Sequence, residues 1–434
     1  MLREQARRTP PPQWVRVVGG WSEFQFAERR MPTLAEINAA APDTPVFILH
    51  LYGRALLNQA ALRALAIGRD TPDPPGGVVE RDAQGDPTGL LLAKPSALIL
   101  YSTLASGPKL PLEDQVNSTR HFMRELNRLG ITSVIDAGGG GQNFPDDYQV
   151  IQRLHGEGQL TLRIAYNLFA QKSGSELSDY ERWVAMTKPG AGDEWPRMSG
   201  AGENLTWSAA DTAWPFRAST SSIATAPRRR RRRRQSNACW KWACPSAPAR
   251  MPRVASYNPW VALYWLTQGK TLGGLTLSPE RNRLDRETAL RLWTKGSTWF
   301  SGEEAAKGAL AVGEYADVAV LSDDYFAVPG DAIKGITAVL TLVGGRVVHG
   351  AGDFAGLAPP LPPISPDWSP VKAYGGYQHA KAGPQRQPVH ACTSHDHAAC
   401  GLHGHAHQTA WLAPVPAADP KAFWGALGCS CFAF

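Results

Sequence analysis

Runs of apolar residues divide the chain into short predicted strands and amphipathic helices. Trp14–Val18 reads as a strand followed by a polar loop, and Pro45–Leu51 as a short buried strand that contains His50. Leu56–Ala66 has helical apolar spacing, Pro74–Gly77 is a turn cluster, and Arg81–Gly89 a polar, hairpin-like insertion. From Glu113 to Leu129 the apolar positions Val116, Phe122, Met123, Leu126 and Leu129 share one helical face, and Gly130 suits the left-handed position that ends a helix. The β-branched run Ile131–Ile135 follows at once, ended by Asp136 and Gly138–Gly141. Asp146–Leu154 is predicted as a second short helix and Leu160–Phe169 as another strand. Strand, helix and strand with short connections is the repeat of a parallel sheet, and continuously apolar strands imply burial on both faces, as in a TIM barrel.

Further on, Pro259 opens a helix that reaches Gln268, and Asp285 is a predicted N-cap for a helix running to about Lys295. The period then changes to two. Tyr315–Leu321 and Ile336–Val348 read as strands, the second broken at Gly344-Gly345 as in a tight hairpin. The expected fold class is therefore α/β: an incomplete TIM-like (β/α) barrel with a small β-subdomain.

One seam interrupts this pattern. Arg217–Arg253 holds ten Arg, seven Ala, five Ser and four Pro, with no acidic residue and no Gly. Seven arginines run unbroken from Arg228 to Arg234, and they account for the whole net charge of +7. The basic balance is thus local, not a property of the surface at large. A stretch so poor in apolar area is expected to be disordered. The predicted organisation is 1–213 as the first part of the barrel, 214–253 as an Arg-rich seam in place of barrel strands, 254–300 as the last barrel helices, 301–357 as the β-subdomain and 358–434 as a Pro-rich linker with a His/Cys-rich tail. All six Cys lie in the seam or the tail, so no disulfide framework is expected in the globular parts. The charged, Pro-rich residues 1–12 lack the apolar core of a signal peptide, and no run is long enough to span a membrane. The expectation is a cytoplasmic protein.

Ends of strands carry the chemistry of a parallel barrel. Asp136 stands at such an end, where a carboxylate serves either as a substrate or metal contact or as a loop cap. Lys188 and Glu203 are weaker pocket candidates, each read first as a solvated loop charge. His50, with no second His near it in sequence, reads as a core or strand-end residue. In the tail, Cys392, His395, His397, Cys400, His403, His405 and His407 are ligand-like in type but do not follow zinc-finger spacing. They are weak metal candidates beside the plainer reading of a polar tail.

Several segments together resemble a known family. Gly302-Glu-Glu-Ala-Ala-Lys-Gly308, Gly313-Glu-Tyr-Ala-Asp317-Val-Ala-Val-Leu321 and Val343-Gly-Gly-Arg-Val-Val348 look like the C-terminal β-subdomain of the amidohydrolase superfamily, in the branch that contains N-substituted formamide deformylases. Gly53-Arg-Ala-Leu-Leu-Asn58, Glu80-Arg-Asp82 with Gly89-Leu-Leu91, Gly130-Ile-Thr-Ser133 and Ser256-Tyr-Asn-Pro-Trp260 fit the same branch, and the likeness covers roughly residues 13–216 and 254–375. The resemblance implies a TIM barrel, a zinc-like divalent metal, and hydrolysis of non-peptide C–N bonds in a small amide-like substrate by a metal-activated water. It also implies ligands that this chain lacks: a His-X-His pair on a first strand, His on two later strands, and a final Asp. No His-X-His occurs before the tail and no His lies between His155 and His349. By the resemblance the chain starts past the first strand, and the seam replaces the strands that carry the later ligands. The composition of the seam is that of GC-rich DNA read out of frame. The expectation is an amidohydrolase by descent, impaired or inactive, without metal at the barrel site. The alternative is a binding protein that holds anions or nucleic acid nonspecifically through the arginine run, or metal through the tail. Specific nucleic-acid recognition and membrane insertion are not expected, since no nucleic-acid-binding signature accompanies the arginines.

Overall fold

The computed structural model describes residues 1–18, 21, 23, 26–28, 30–50, 53–74, 76–94, 97–137, 143–170, 175–201, 257–272, 274, 276–374, 399–400 and 405–406. By contacts the chain divides into two units: Met1–Ser118 with Ala249–Pro279 and Pro363–Phe434, and Thr119–Pro248 with Glu280–Pro362. The whole Arg-rich seam, 214–253, lies outside the described residues.

The first unit is built on a mixed sheet of β1 (Val15–Val17), β2 (Val46–His50), β3 (Arg54–Leu57), β4 (Gly77–Arg81) and β5 (Pro87–Ala93), in the order β1-β2-β3-β5-β4. Only β1 and β2 pair in parallel; the others are antiparallel. The three residues between β2 and β3 are far too few for a parallel crossover, which takes a dozen or more. Among the described residues these strands form a sheet of their own. The expected helix over Leu56–Ala66 is corrected here: Leu56 and Leu57 belong to β3, and the helix is Gln59–Ala64. Asn58 makes the break. Fully buried, its side-chain oxygen accepts from the Ala61 amide at 2.9 Å to cap the helix and from the Val46 amide at 2.9 Å, while its nitrogen donates to the Ala41 and Thr44 carbonyls. Phe47, Leu49, Leu57 and Leu91 fill one face of the sheet, and Val46, Ile48 and Leu56 the other. The helix Pro259–Gln268 belongs to this unit, opened by the Asn258 cap and closed by Gly269 in the left-handed region.

The second unit holds the parallel array. β6 (Ser133–Asp136), β7 (Arg163–Leu168) and β8 (Pro196–Ala201) pair in parallel in sequence order. The helix Gln149–Gly156 connects the first two and Glu176–Met186 the last two. The long helix Leu112–Arg128 leads into β6. Gly130, at φ 80°, makes the turn, and a Cβ there would stand 3.0 Å from the Ala319 methyl. An antiparallel sheet of β9 (Val318–Leu321), β10 (Ala338–Val343) and β11 (Arg346–Gly350) completes the unit, with Gly344 and Gly345 both at positive φ in the β10–β11 turn. The expected barrel is thus reduced: among the described residues this unit has three parallel strands, and no barrel closes. β8 is a strand that the sequence pattern did not show.

Two fixtures join these parts of the second unit. The Arg163 guanidinium, from β7, forms a two-pronged ion pair with Asp317 at 2.8 and 3.1 Å, and both side chains are buried, at 2% and 7% exposure. It lies over the rings of Tyr315 and Trp195, and Asp317 also accepts from the Gly344 amide at 2.8 Å. In addition, the Thr341 hydroxyl donates to the Asn127 carbonyl at 2.7 Å. Beyond β11 the Pro-rich segment is tied down through its carbonyls: Arg124 donates to Pro359 and Pro360 in this unit, and within the first unit Asn117 donates to Pro363. Last, β12 (Ala399–Cys400) and β13 (His405–Ala406) pair antiparallel with Cys400 opposite His405.

Candidate functional site at the carboxyl end of the parallel strands

Side chains along a strand alternate between its faces, and residues paired in parallel share a face. Asp136 pairs with Tyr166, and Tyr166 with Met198. Met198 and Leu168 cluster with Trp183 of the helix Glu176–Met186, and Tyr166 and Phe144 pack against them. This is the helix-facing side of the sheet. Asp136 lies on it and accepts a hydrogen bond from the Tyr148 hydroxyl at 3.0 Å. The Tyr148 ring tilts against Tyr166 with centroids 4.8 Å apart, and Phe144 stacks on Tyr166 at 6.4 Å. Burial, together with the charge and hydrogen bond of Asp136, raises the Tyr148 phenol well above its ordinary pKa, so it stays a donor. Burial raises Tyr166 as well. This side-chain contact is distinct from both roles that the sequence left open for Asp136, a substrate or metal contact and a loop cap.

The opposite face at the same end carries Ile135 on β6 and Asn167 on β7, with Gly200 of β8 as the pairing partner of Asn167. Ile135 is 37% exposed. The register shifts between Tyr166 and Asn167, so β8 carries an extra residue there, the kind of irregularity that re-aims side chains near functional sites. Among the described residues the Asn167 carboxamide has no hydrogen-bond partner, and a Cβ at Gly200 would come 3.9 Å from its Oδ1. Sequence reasoning did not single out Asn167, although strict alternation along Leu160–Phe169 separates it from Tyr166 and Leu168.

The other candidates are dispersed. Lys188 is exposed in the loop between the helix Glu176–Met186 and β8, outside the group around Asp136. Glu203, Cys392, His395, His397, His403 and His407 lie outside the described residues, and of Cys400 and His405 only the strand pairing is described.

The donor chemistry for a divalent metal can be tested on the histidines before the tail. His50 faces Glu23 at 2.6 Å through Nε2 and accepts from Arg54 through Nδ1. Arg54 also reaches Glu23, at 2.8 Å, and Trp21 packs edge-on to the imidazole. His155 pairs with Asp193 at 2.7 Å on the surface. His349 donates to the Ala338 carbonyl, and His121 is buried on the helix Leu112–Arg128. Among the described residues no three His, Cys, Asp or Glu side chains converge as a metal site requires. The described residues do not fit the zinc-like ion that the resemblance implies.

Parallel strands joined by helices define an α/β protein. The sequence then matches the Amidohydrolase family (Amidohydro_3) over residues 1–233 and 252–349, and the chain belongs to that family. Within the seam only residues 234–251 fall between the two matched segments, so the likeness reaches further into it than the motifs suggested. The chain is 41% identical over 99 residues to "Putative amidohydrolase YtcJ" of Bacillus subtilis, covering 23% of this chain and 18% of that protein. It is 33% identical over 138 residues to "N-substituted formamide deformylase" of Arthrobacter pascens, covering 32% and 25%. The matched segments thus span about a fifth to a quarter of those relatives. A solved metal-dependent hydrolase from Pyrococcus horikoshii aligns over 76% of this chain and 85% of its own, at 14% identity and a TM-score of 0.45. No helix among the described residues is long and apolar enough to cross a membrane.

Proposed function

We propose that the chain has the scaffold of an amidohydrolase that acts on non-peptide C–N bonds of a small amide, and that it is impaired in metal-dependent turnover. Family membership supports the hydrolase class, and the relative named for N-substituted formamides supports an amide substrate. The impairment reading is supported by one observation: His50 with Glu23, His155 with Asp193 and His349 at the Ala338 carbonyl stand at separate places, and among the described residues no three ligand-type side chains converge. In this reading the three parallel strands are part of an incomplete TIM-like barrel, β9–β11 form its small β-subdomain, and the seam at 214–253 stands where further strands belong. What the described residues can do is bind and orient. The carboxyl end of the sheet offers an apolar contact at Ile135 and a neutral donor–acceptor at Asn167.

The test is an amidase assay of the purified chain on N-substituted formamides, with zinc added. We expect no turnover above background; robust turnover that a chelator abolishes would overturn the impaired reading. For the seam, we propose a disruption of reading frame, and the DNA across 214–256 tests it. An alternative frame that encodes His-bearing strands supports the proposal, and the lack of one refutes it.

A further inference from the structure

We propose that His349 and Arg124 form a pH-sensitive clasp on the Pro-rich segment after β11: a proton on the imidazole drives the Arg124 guanidinium off the Pro359 and Pro360 carbonyls, and residues 358–362 lift away. The proposal is independent of the hydrolase reading, and it stands first on geometry. His349 is buried on β11 and donates to the Ala338 carbonyl. It pairs with Thr341 across the ladder, so the two side chains share a face, and the Thr341 hydroxyl reaches the Asn127 carbonyl near the end of the helix Leu112–Arg128. His349 therefore faces the last turns of that helix, which carry Arg124 and Arg128. Burial is the main cause of its lowered pKa; the hydrogen bond to Ala338 opposes the shift, and the charges of the two arginines add to it.

The two arginines differ in what holds them. Arg128 is fixed to both carboxylate oxygens of the buried Glu125, at 2.7 Å each. Arg124 is half-buried, and among the described residues its hydrogen bonds go to the Pro359 and Pro360 carbonyls at 3.2 Å, with no carboxylate paired to it. Two neutral acceptors hold a cation less firmly than a bidentate carboxylate does. An imidazolium facing both guanidiniums repels both, in surroundings that screen charge less than water does, and the one less firmly held swings out to water on its flexible stem. The other ionisable groups around His349 are few. On the helix His121 is a second imidazole and Glu125 is taken by Arg128; β10 and the segment 358–362 carry none; Asp353, just after β11, is exposed. The imidazole is more basic once the guanidinium has left, so acid favours release. Above the ordinary His value of about 6.5 the clasp is closed, and it is lost as pH falls below that.

The experiment uses the full chain with 4-trifluoromethyl-phenylalanine in place of Leu361, which is 48% exposed. Its fluorine resonance is followed from about pH 7.5 to about pH 5, with circular dichroism as a check on folding. We expect two positions, clasped and released, with a midpoint below about pH 6.5 that coincides with the titration of the His349 ring signals. His349→Gln keeps a donor but takes up no charge, and should hold the clasped position throughout. Arg124→Gln should show the released position already at about pH 7.5, and His121→Gln should leave the transition in place. A transition that persists in folded His349→Gln or is lost in folded His121→Gln overturns the proposal. So does a clasped position in Arg124→Gln, a wild type with no transition, or one that loses its circular dichroism at the same pH. If the variants do not fold, the wild type decides: coincident fluorine and His349 midpoints support the clasp, and separate midpoints overturn it.

Discussion

Replacing Asp317 with Ala isolates the cost of an unpaired buried charge. In the native protein the Arg163 guanidinium is 2% exposed and held by both carboxylate oxygens. Without the carboxylate, a buried cation keeps only the Glu194 carbonyl and the ring faces of Tyr315 and Trp195, and the Gly344 amide loses its acceptor. Breaking a buried pair on one side costs about 3–5 kcal/mol. At a urea slope of about 2 kcal/mol per molar, a loss of about 4 kcal/mol moves the midpoint down by about 2 M. The double replacement Arg163→Met with Asp317→Leu removes both charges, and we expect it to cost far less than the single one, because neither ion is left to desolvate. The assay is urea unfolding followed by tryptophan fluorescence, with Trp195 beside the pair as an internal reporter. A single-variant loss under about 1 kcal/mol, in the range of surface pairs, would refute the reasoning.

Other outcomes follow from particular side chains. Tyr148→Phe removes a hydrogen bond to a carboxylate, and we expect a loss of about 1.5–3 kcal/mol in denaturant unfolding. The Tyr148 pKa is raised in the folded state, so its contribution is complete below the unfolded value of about 10 and is lost as pH rises beyond it; the alkaline slope of stability should be shallower in Tyr148→Phe. His349 has its pKa lowered, chiefly by burial, so its contribution is present above about pH 6.5 and is lost as pH falls. His349→Gln should flatten the acid limb of a stability profile between about pH 6.5 and 5. Gly345, at φ 75°, tolerates no β-branched side chain without strain, and Gly345→Val should cost about 1–2 kcal/mol by thermal unfolding.

Features that one turn of chain decides were legible in the sequence. Gly130 ends its helix, Asn258 with Pro259 opens another, Asp285 caps a third and Gly344-Gly345 turns the hairpin, since each rests on backbone geometry open to few residue types. Leu56 and Leu57 misled because an apolar pair before Ala60 and Ala61 fits helical spacing, yet pairing with β2 and β5 holds them extended. Strand β8 escaped because Pro196-Arg-Met-Ser-Gly-Ala201 lacks β-branched residues, and only its neighbour β7 makes it a strand. The site divides in the same way. Asp136 was visible at a strand end, but its engagement by Tyr148 is a contact across twelve positions, and the isolation of Asn167 is set by the register of β8. Barrel closure depends on pairings between distant strands, which local pattern does not encode.

The Pro-rich segment after β11 has a consequence for how the chain meets other molecules. Pro359, Pro360, Pro362, Pro363, Pro366 and Pro370 have no amide hydrogen, and several of the carbonyls there are already taken by Arg124 and Asn117. A protease or a chaperone that grips its client by adding it as a strand needs alternating donors and acceptors along the backbone. In 358–370 six of the thirteen positions are proline, so that row of donors is broken. It therefore works as a non-stick cuff: digestion of the native protein should leave 358–370 intact after more ordinary loops are cut.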